Sequence, residues 1–285
     1  MGAKKDLRGK VVMVTGASAG IGEALARRAA ARGAAVVLAA RRLDRLQRNA
    51  AELAAVEGSG GALAVACDVT RDGQVEDAVA RALSRFGRLD IAVANAGFAV
   101  SGTFMKLSLE DYRRQMESNF FGVIRTVKAC LPALTETGGA LGLVGSTNGY
   151  VSVPTASAYC ASKHALRSLA VCLRHELARD GVSVTHLAPG FITTELRRVD
   201  NVGEHHPEAV DPVPAWLQMP ADRAAAQMLQ AIVRRRAEQA ITLHSRLAIF
   251  LERHTPWLVS ASLRWSRSLT RRLGSKPPPQ RSPAA

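Results

Sequence analysis

The sequence predicts an α/β fold, a doubly wound parallel sheet of about seven strands with helices on both faces. Three observations predict it. Short runs rich in Val, Leu, Ile and Ala alternate with amphipathic stretches of helix length from Val11 to Leu243. The first apolar run, Val11-Val12-Met13-Val14-Thr15, is continuous, as in a strand buried on both faces, and passes straight into the glycine-rich turn Gly16-Ala17-Ser18-Ala19-Gly20-Ile21-Gly22. No linker, repeat or low-complexity stretch breaks the alternation before Gly274, so residues 1–245 read as one domain.

Each element has its own signal. The alanine-rich stretch 23–32 follows the glycine turn as a helix and stops at Gly33. Residues 36–40 are the second strand, 41–56 a helix, 62–67 the third strand, 72–86 a helix and 89–94 the fourth strand. Ser108 is placed to cap a long helix over 109–134. The fifth strand spans 140–145, a second long helix 157–179 and the sixth strand 182–187. A helix over 221–236 leads to a short seventh strand over 240–243.

The glycine turn sets up an anion site. A helix that begins inside such a turn directs its free N–H groups and positive dipole end to whatever lies above the strand, and a dinucleotide pyrophosphate is the usual occupant. Gly16 lets the chain leave the strand sharply, Gly20 lets backbone approach a phosphate, and Gly22 lets helix pack closely on strand. In sheets of this kind ligands bind beyond the carboxyl ends of the strands. Arg41 and Arg42 follow the second strand, where an acid would accept from an adenosine ribose 2′-hydroxyl; guanidinium groups there suit a 2′-phosphate, so NADP(H) is favoured over NAD(H). Asp68 ends the third strand beside the expected adenine, and Asn95-Ala96-Gly97 ends the fourth with small residues against which a cofactor can lie.

Tyr159 and Lys163 stand four apart at the start of a helix, stacked one turn apart on one face. An ordinary tyrosine titrates near ~10, and an adjacent ammonium lowers that value toward working pH, where the phenol can exchange a proton with a substrate oxygen. Ser146 ends the fifth strand on the ligand side, and Asn119 is a poor helix former set between apolar residues of a long helix, as a buried hydrogen-bonding task requires. Singly, each of these residues has an ordinary structural explanation. Jointly, Thr15-Gly16-x-x-x-Gly20-x-Gly22, Asp68, Asn95-Ala96-Gly97, Asn119, Ser146, Tyr159-x-x-x-Lys163 and Pro189-Gly190 resemble a classical short-chain dehydrogenase/reductase over residues 9–245.

The resemblance implies a Rossmann-type dinucleotide-binding and catalytic domain that transfers a hydride between NADP(H) and a carbonyl/alcohol pair. It implies Tyr159 as general acid/base, Lys163 as the group that binds the nicotinamide ribose and lowers the Tyr159 pKa, Ser146 as the polarising hydroxyl and Asn119 as the holder of a relay water. It also implies cofactor contacts at Thr15, Gly16, Ser18, Gly20, Ile21, Gly22, Val69, Ala96, Gly97 and Ile192, an adenine contact at Asp68, support from Asn95, and Pro189, Gly190 and Thr193 facing the nicotinamide carboxamide. It calls for no metal; His205 and His206 are adjacent, point apart and read as loop residues.

Residues 191–220 are longer than an ordinary connection and read as a substrate lid carrying Phe191, Leu196, Val199, Val202, Val210, Val213, Trp216, Leu217 and Met219, with Phe98, Val100, Tyr150 and Val151 as further apolar walls. This implies a small apolar ketone, aldehyde or secondary alcohol as substrate. The net charge of +14 is uneven, with eleven Lys and Arg against two acids in residues 234–285. Within the extension 246–273, Leu258, Ala261, Trp265 and Leu269 recur at helical spacing beside Arg264, Arg267 and Arg271, a basic amphipathic pattern that suits either an anionic membrane surface or a packing contact. No nucleic-acid motif accompanies the charge. Residues 274–285 are rich in proline and polar groups and read as disordered. Cys67, Cys130, Cys160 and Cys172 form no C-x-x-C pair, and the N-terminus has no apolar signal core, as expected for a cytoplasmic protein with possible attachment to the membrane's cytoplasmic face. The long helices after the fourth and fifth strands suggest a homodimer. The competing functions are a catalytically silent nucleotide-binding scaffold, a membrane-recruited adaptor of the same fold, and an epimerase or lyase.

Overall fold

The computed structural model describes residues 6–206 and 208–272, with side chains through residue 264; the expectation for 274–285 lies outside the described residues. Its elements, in order, are β1 (Val11–Thr15), α1 (Gly20–Ala30), β2 (Ala35–Ala40), α2 (Leu43–Ala54), β3 (Ala62–Ala66), α3 (Gln74–Phe86), β4 (Ile91–Ala94), α4 (Leu109–Met116), α5 (Gly122–Thr137), β5 (Ala140–Val144), α6 (Ser157–Glu176), β6 (Ser183–Ala188), β7 (Ile192–Thr193), β8 (Met219–Pro220), α7 (Ala221–Val233), β9 (Glu238–Ala240), α8 (Leu243–His254) and α9 (Pro256–Arg272). Seven strands form one parallel sheet in the order β3-β2-β1-β4-β5-β6-β9, and β7 pairs with β8 as a separate ribbon. The order reverses between β1 and β4, which opens the crevice where such sheets take ligands.

The continuous apolar character of β1 and β2 reflects burial on both faces. On one face Val12, Val14, Val36 and Leu38 pack under Leu25 and Ala29 of α1 and Met228 and Ile232 of α7. On the other, Val11, Met13 and Val37 pack under Val79 of α3, Val127 and Leu134 of α5 and Leu166 of α6. Each such fully buried side chain contributes about 2 kcal/mol. Cys67, Cys130 and Cys160 are buried and Cys172 is exposed; all four are free thiols.

Two expectations are revised. The single helix expected over 109–134 is two helices joined by a π turn, Glu117–Phe121, with Asn119 fully buried at its centre. The seventh strand is earlier than expected, at Glu238–Ala240, and Leu243 already belongs to α8. A third apolar cluster of Tyr150, Val151, Ala188 and Ile249, with Val259 packed on it, fastens α8 and α9 to the sheet edge. The start of the C-terminal extension is therefore continuous with the body. No helix among the described residues is long and apolar enough to cross a membrane.

Candidate active site

The glycine turn is tied to the end of β4. The Thr15 hydroxyl accepts from the backbone amides of Asn95 (3.0 Å) and Ala96 (3.2 Å), and the Asn95 side-chain amide donates to the carbonyls of Thr15 (2.9 Å) and Gly16 (3.3 Å). Gly16 is left-handed at φ +66°, and a Cβ there would stand 2.8 Å from the Ala96 Cα; one on Gly22 would collide with the Gly16 carbonyl oxygen. These positions admit only glycine, and they hold the turn open above the sheet. No side chain caps α1, whose first N–H groups are thus left for an anion. The cradle fits a dinucleotide pyrophosphate.

At the end of β2, Arg42 donates through Nε (3.2 Å) and Nη2 (3.1 Å) to the hydroxyl of the buried Ser18, and through Nη1 to Glu195 (3.1 Å). Arg41 is exposed beside it. The Asp68 carboxylate folds back to accept from the Thr70 amide (3.0 Å) and hydroxyl (2.8 Å), and Val69 is buried against Gly122. Gly97 lies under the Asn119 carboxamide, where a Cβ would be 2.7 Å from Oδ1.

α6 brings Tyr159 and Lys163 to the ligand side of β5, and Ser146 lies close enough to the Tyr159 phenol to act on its titration. Lys163 is buried; its Nζ donates to the Val144 carbonyl at 2.9 Å and lies 5.7 Å from the Tyr159 ring centre. Burial lowers the Lys163 pKa to about 8. Burial raises the Tyr159 phenol above its ordinary value, while the Ser146 hydrogen bond and the Arg197 charge pull it down. The Lys163 Nζ bonds the Val144 carbonyl, and burial is the largest influence on the phenol. The Asn119 carboxamide is fully engaged, donating to the Phe98 carbonyl (3.0 Å) and Ser162 hydroxyl (3.2 Å) and accepting from the Phe98 amide (3.1 Å).

The Pro189-Gly190 turn closes the site and is buttressed by the start of α8. A Cβ on Gly190 would collide with His244, Ser245 and Thr242. The Phe191 amide donates to His244 Nε2 at 3.1 Å, and the rings of Phe191 and His244 stack with centres 5.3 Å apart. The Thr147 hydroxyl, next to Ser146, lies 3.1 Å from the Pro189 carbonyl oxygen and 2.6 Å from the Ser245 hydroxyl. Ile192 is buried; Thr193 is exposed in the short ribbon, whereas Thr194 packs against Gly20 of the phosphate turn.

A family model for short chain dehydrogenases matches residues 10–204. The chain belongs to the short-chain dehydrogenase/reductase family. Its relatives include a rat (Rattus norvegicus) dehydrogenase/reductase SDR family member 7B, 39% identical over 68% of this chain and 61% of the relative, and an Arabidopsis thaliana 11-beta-hydroxysteroid dehydrogenase 1A, 40% identical over 67% and 55%. The match thus spans less than two thirds of those relatives' length. An alcohol dehydrogenase from the archaeon Thermococcus sibiricus, solved with 5-hydroxy-NADP, superposes with a TM-score of 0.71 at 32% identity, covering 81% of this chain and 95% of that one. A 3-ketoacyl-(acyl-carrier-protein) reductase from Brucella melitensis, solved with NADH, gives 0.71 at 28%, covering 83% and 98%.

In this chain the 191–220 segment carries several polar ties. Asn201 exchanges two hydrogen bonds with the backbone of Ser101 across the cleft (2.9 and 3.0 Å), and Arg197 pairs with Asp211 at 2.7 Å while lying close enough to Tyr159 to act on its titration. Val202, Val210 and Trp216 are exposed, and Val100, Tyr150 and Val151 are buried. His206 bonds Asp200 at 2.9 Å, and His205 lies 3.8 Å from Glu195. Arg197, Thr194, Glu195 and His244 are additions to the site that the sequence did not single out. Alternation from the buried Ile192 marks Thr194 as the inward threonine; the other three depend on tertiary contacts alone.

Proposed function

We propose that this chain is an NADP(H)-dependent oxidoreductase acting on the carbonyl or secondary alcohol of a small apolar substrate. One observation carries the reading: Tyr159 and the buried Lys163 lie one turn apart on α6, with Ser146 close enough to act on the Tyr159 phenol and the Lys163 Nζ bonded to the Val144 carbonyl at the end of β5. The coenzyme supplies the hydride when bound. Ser146 holds the substrate oxygen in place. Tyr159 donates its proton to that oxygen in reduction and takes one from the alcohol in oxidation, and its raised pKa keeps it protonated for the former. Lys163 holds the nicotinamide ribose and Asn119 holds the Phe98 loop over the site. Thr194 takes the carboxamide-facing role read at first for Thr193. The step draws on no metal.

Arg41, Arg42 and Ser18 support selection of the 2′-phosphate, and the steroid dehydrogenase among the relatives supports an apolar alcohol or ketone. Exposed Phe121, in the π turn that leads into α5, and exposed Val171 on α6 support a homodimer. A row of exposed Leu243, Leu247 and Phe250 on α8, followed by exposed Trp257, beside Arg246, supports contact with an anionic membrane surface on the cytoplasmic side. Val259, by contrast, faces the body. The test is a panel of apolar carbonyls followed by NADPH oxidation, with NADH and Arg41→Ala as comparisons. Turnover with NADPH and a selective loss of NADPH affinity in Arg41→Ala are expected; equal loss for both coenzymes contradicts the phosphate role, and tight NADPH binding with no turnover would leave a silent scaffold.

A further inference from the structure

Glu195 sits where nothing in the proposed reaction uses a carboxylate. It begins the turn Glu195–Arg198, one residue after Thr194, whose side chain would stand 3.2 Å from a Cβ on Gly20. Its Oε2 accepts from Arg42 Nη1 at 3.1 Å, and Oε1 and Oε2 accept from Arg45 Nη1 at 2.9 and 3.0 Å. The opposite edge of the Arg42 guanidinium is spent on Ser18 of the glycine turn. Arg42 is thus a bridge from phosphate turn to lid, and Glu195 is its lid end. All three side chains are about one third exposed, so the pairs are reachable by solutes yet partly shielded from water. The arginines hold the Glu195 carboxyl below its usual range despite the opposing effect of burial, and His205 adds a third basic group at 3.8 Å.

We propose that Glu195 is a built-in substitute for the coenzyme's 2′-phosphate, holding Arg42 and Arg45 and tying down residues 194–206 until that phosphate takes the arginines from it. The inference rests on the NADP(H) reading and deepens it. A carboxylate and a phosphate monoester offer guanidinium groups the same kind of oxygen acceptors, but the phosphate carries roughly −1.5 to −2 charges against −1. A 2′-hydroxyl offers neither charge nor a second oxygen and leaves the Glu195 pairs in place. Release of Glu195 loosens the turn that carries Arg197, the cation near Tyr159. Coenzyme identity at the adenosine end is thereby felt at the substrate end through two intervening residues.

The test uses the full-length protein, with 2′,5′-ADP and 5′-AMP, which differ only by the 2′-phosphate, as probes in calorimetry and amide hydrogen exchange read over 194–206. Wild type is expected to prefer 2′,5′-ADP. Glu195→Gln removes the competing charge and is expected to tighten 2′,5′-ADP by about three- to tenfold with 5′-AMP unchanged, a displacement of conventional ion-pair size. In wild type, 2′,5′-ADP but not 5′-AMP is expected to raise exchange in 195–206; this readout needs no variant. A wild-type preference for 2′,5′-ADP that Glu195→Gln leaves unchanged or weakens, or exchange that 2′,5′-ADP does not raise, overturns the substitution while sparing the NADP(H) reading. Equal wild-type affinity for the two probes overturns both.

Discussion

Asn119 and Phe98 exchange two hydrogen bonds: the carboxamide of one accepts from the backbone amide of the other at 3.1 Å and donates to its carbonyl at 3.0 Å. The π turn at Glu117–Phe121 is what aims Asn119 at the loop after β4, and such turns are frequent at functional sites. Asn119→Ala leaves the Phe98 amide without its acceptor, while the Phe98 carbonyl keeps the Gln115 amide at 2.9 Å. A loss of about 1–3 kcal/mol in urea unfolding is expected, with a fall in kcat from the displaced Gly97–Phe98 loop. Unchanged stability would mean that water replaces the carboxamide.

His244 supports the Pro189-Gly190 turn from a helix that follows the last strand. His244→Ala removes the acceptor for the Phe191 amide and the ring stacked on Phe191. It is expected to lower kcat/KM by about ten- to thirtyfold, about 1–2 kcal/mol, chiefly in KM for the substrate. A variant with wild-type kinetics would show that Gly190 is held by Thr242 and Ser245 without it.

Lys163 makes stability depend on pH in a defined direction. Its pKa is about 8 in the fold against 10.5 for an ordinary lysine, because burial penalises the ammonium. Between these values the unfolded chain holds a proton that the folded one has released, so raising the pH through the window favours the fold, by up to something on the order of 3 kcal/mol. Below about pH 8 the full cost of the buried charge is present. Urea unfolding of wild type and Lys163→Met from pH 7 to 10 should show wild type gaining on the variant as pH rises; parallel curves would place the charge in water.

The sheet, the glycine turn and the Tyr159–Lys163 pair were legible because each is a local pattern: a continuous apolar run, a left-handed turn, a four-residue spacing. The π turn was not, since the run Phe120, Phe121, Val123 and Ile124 is apolar on all sides and hides the shift of face that one extra residue makes. The ties from Glu195 to Arg42 and from His244 to Phe191 join segments far apart in the chain, so no local pattern announces them. In 191–220 composition alone cannot tell Val210 and Trp216, which are exposed, from Ile192, which is buried. Around Tyr159, spacing gives the neighbouring Lys163 but not the burial of the phenol or the Val144 carbonyl that engages the ammonium.

The proton that Tyr159 gives to a substrate oxygen is most directly tested with Tyr159→Phe. Turnover of an apolar ketone is followed by NADPH oxidation, and NADPH binding by the quenching or enhancement of its fluorescence. The variant keeps the ring and the packing of α6 and loses one hydroxyl. A fall in kcat of at least about a thousandfold with NADPH affinity within a few fold of wild type is expected. Turnover within about tenfold of wild type would take the proton transfer away from Tyr159 and contradict the site as described.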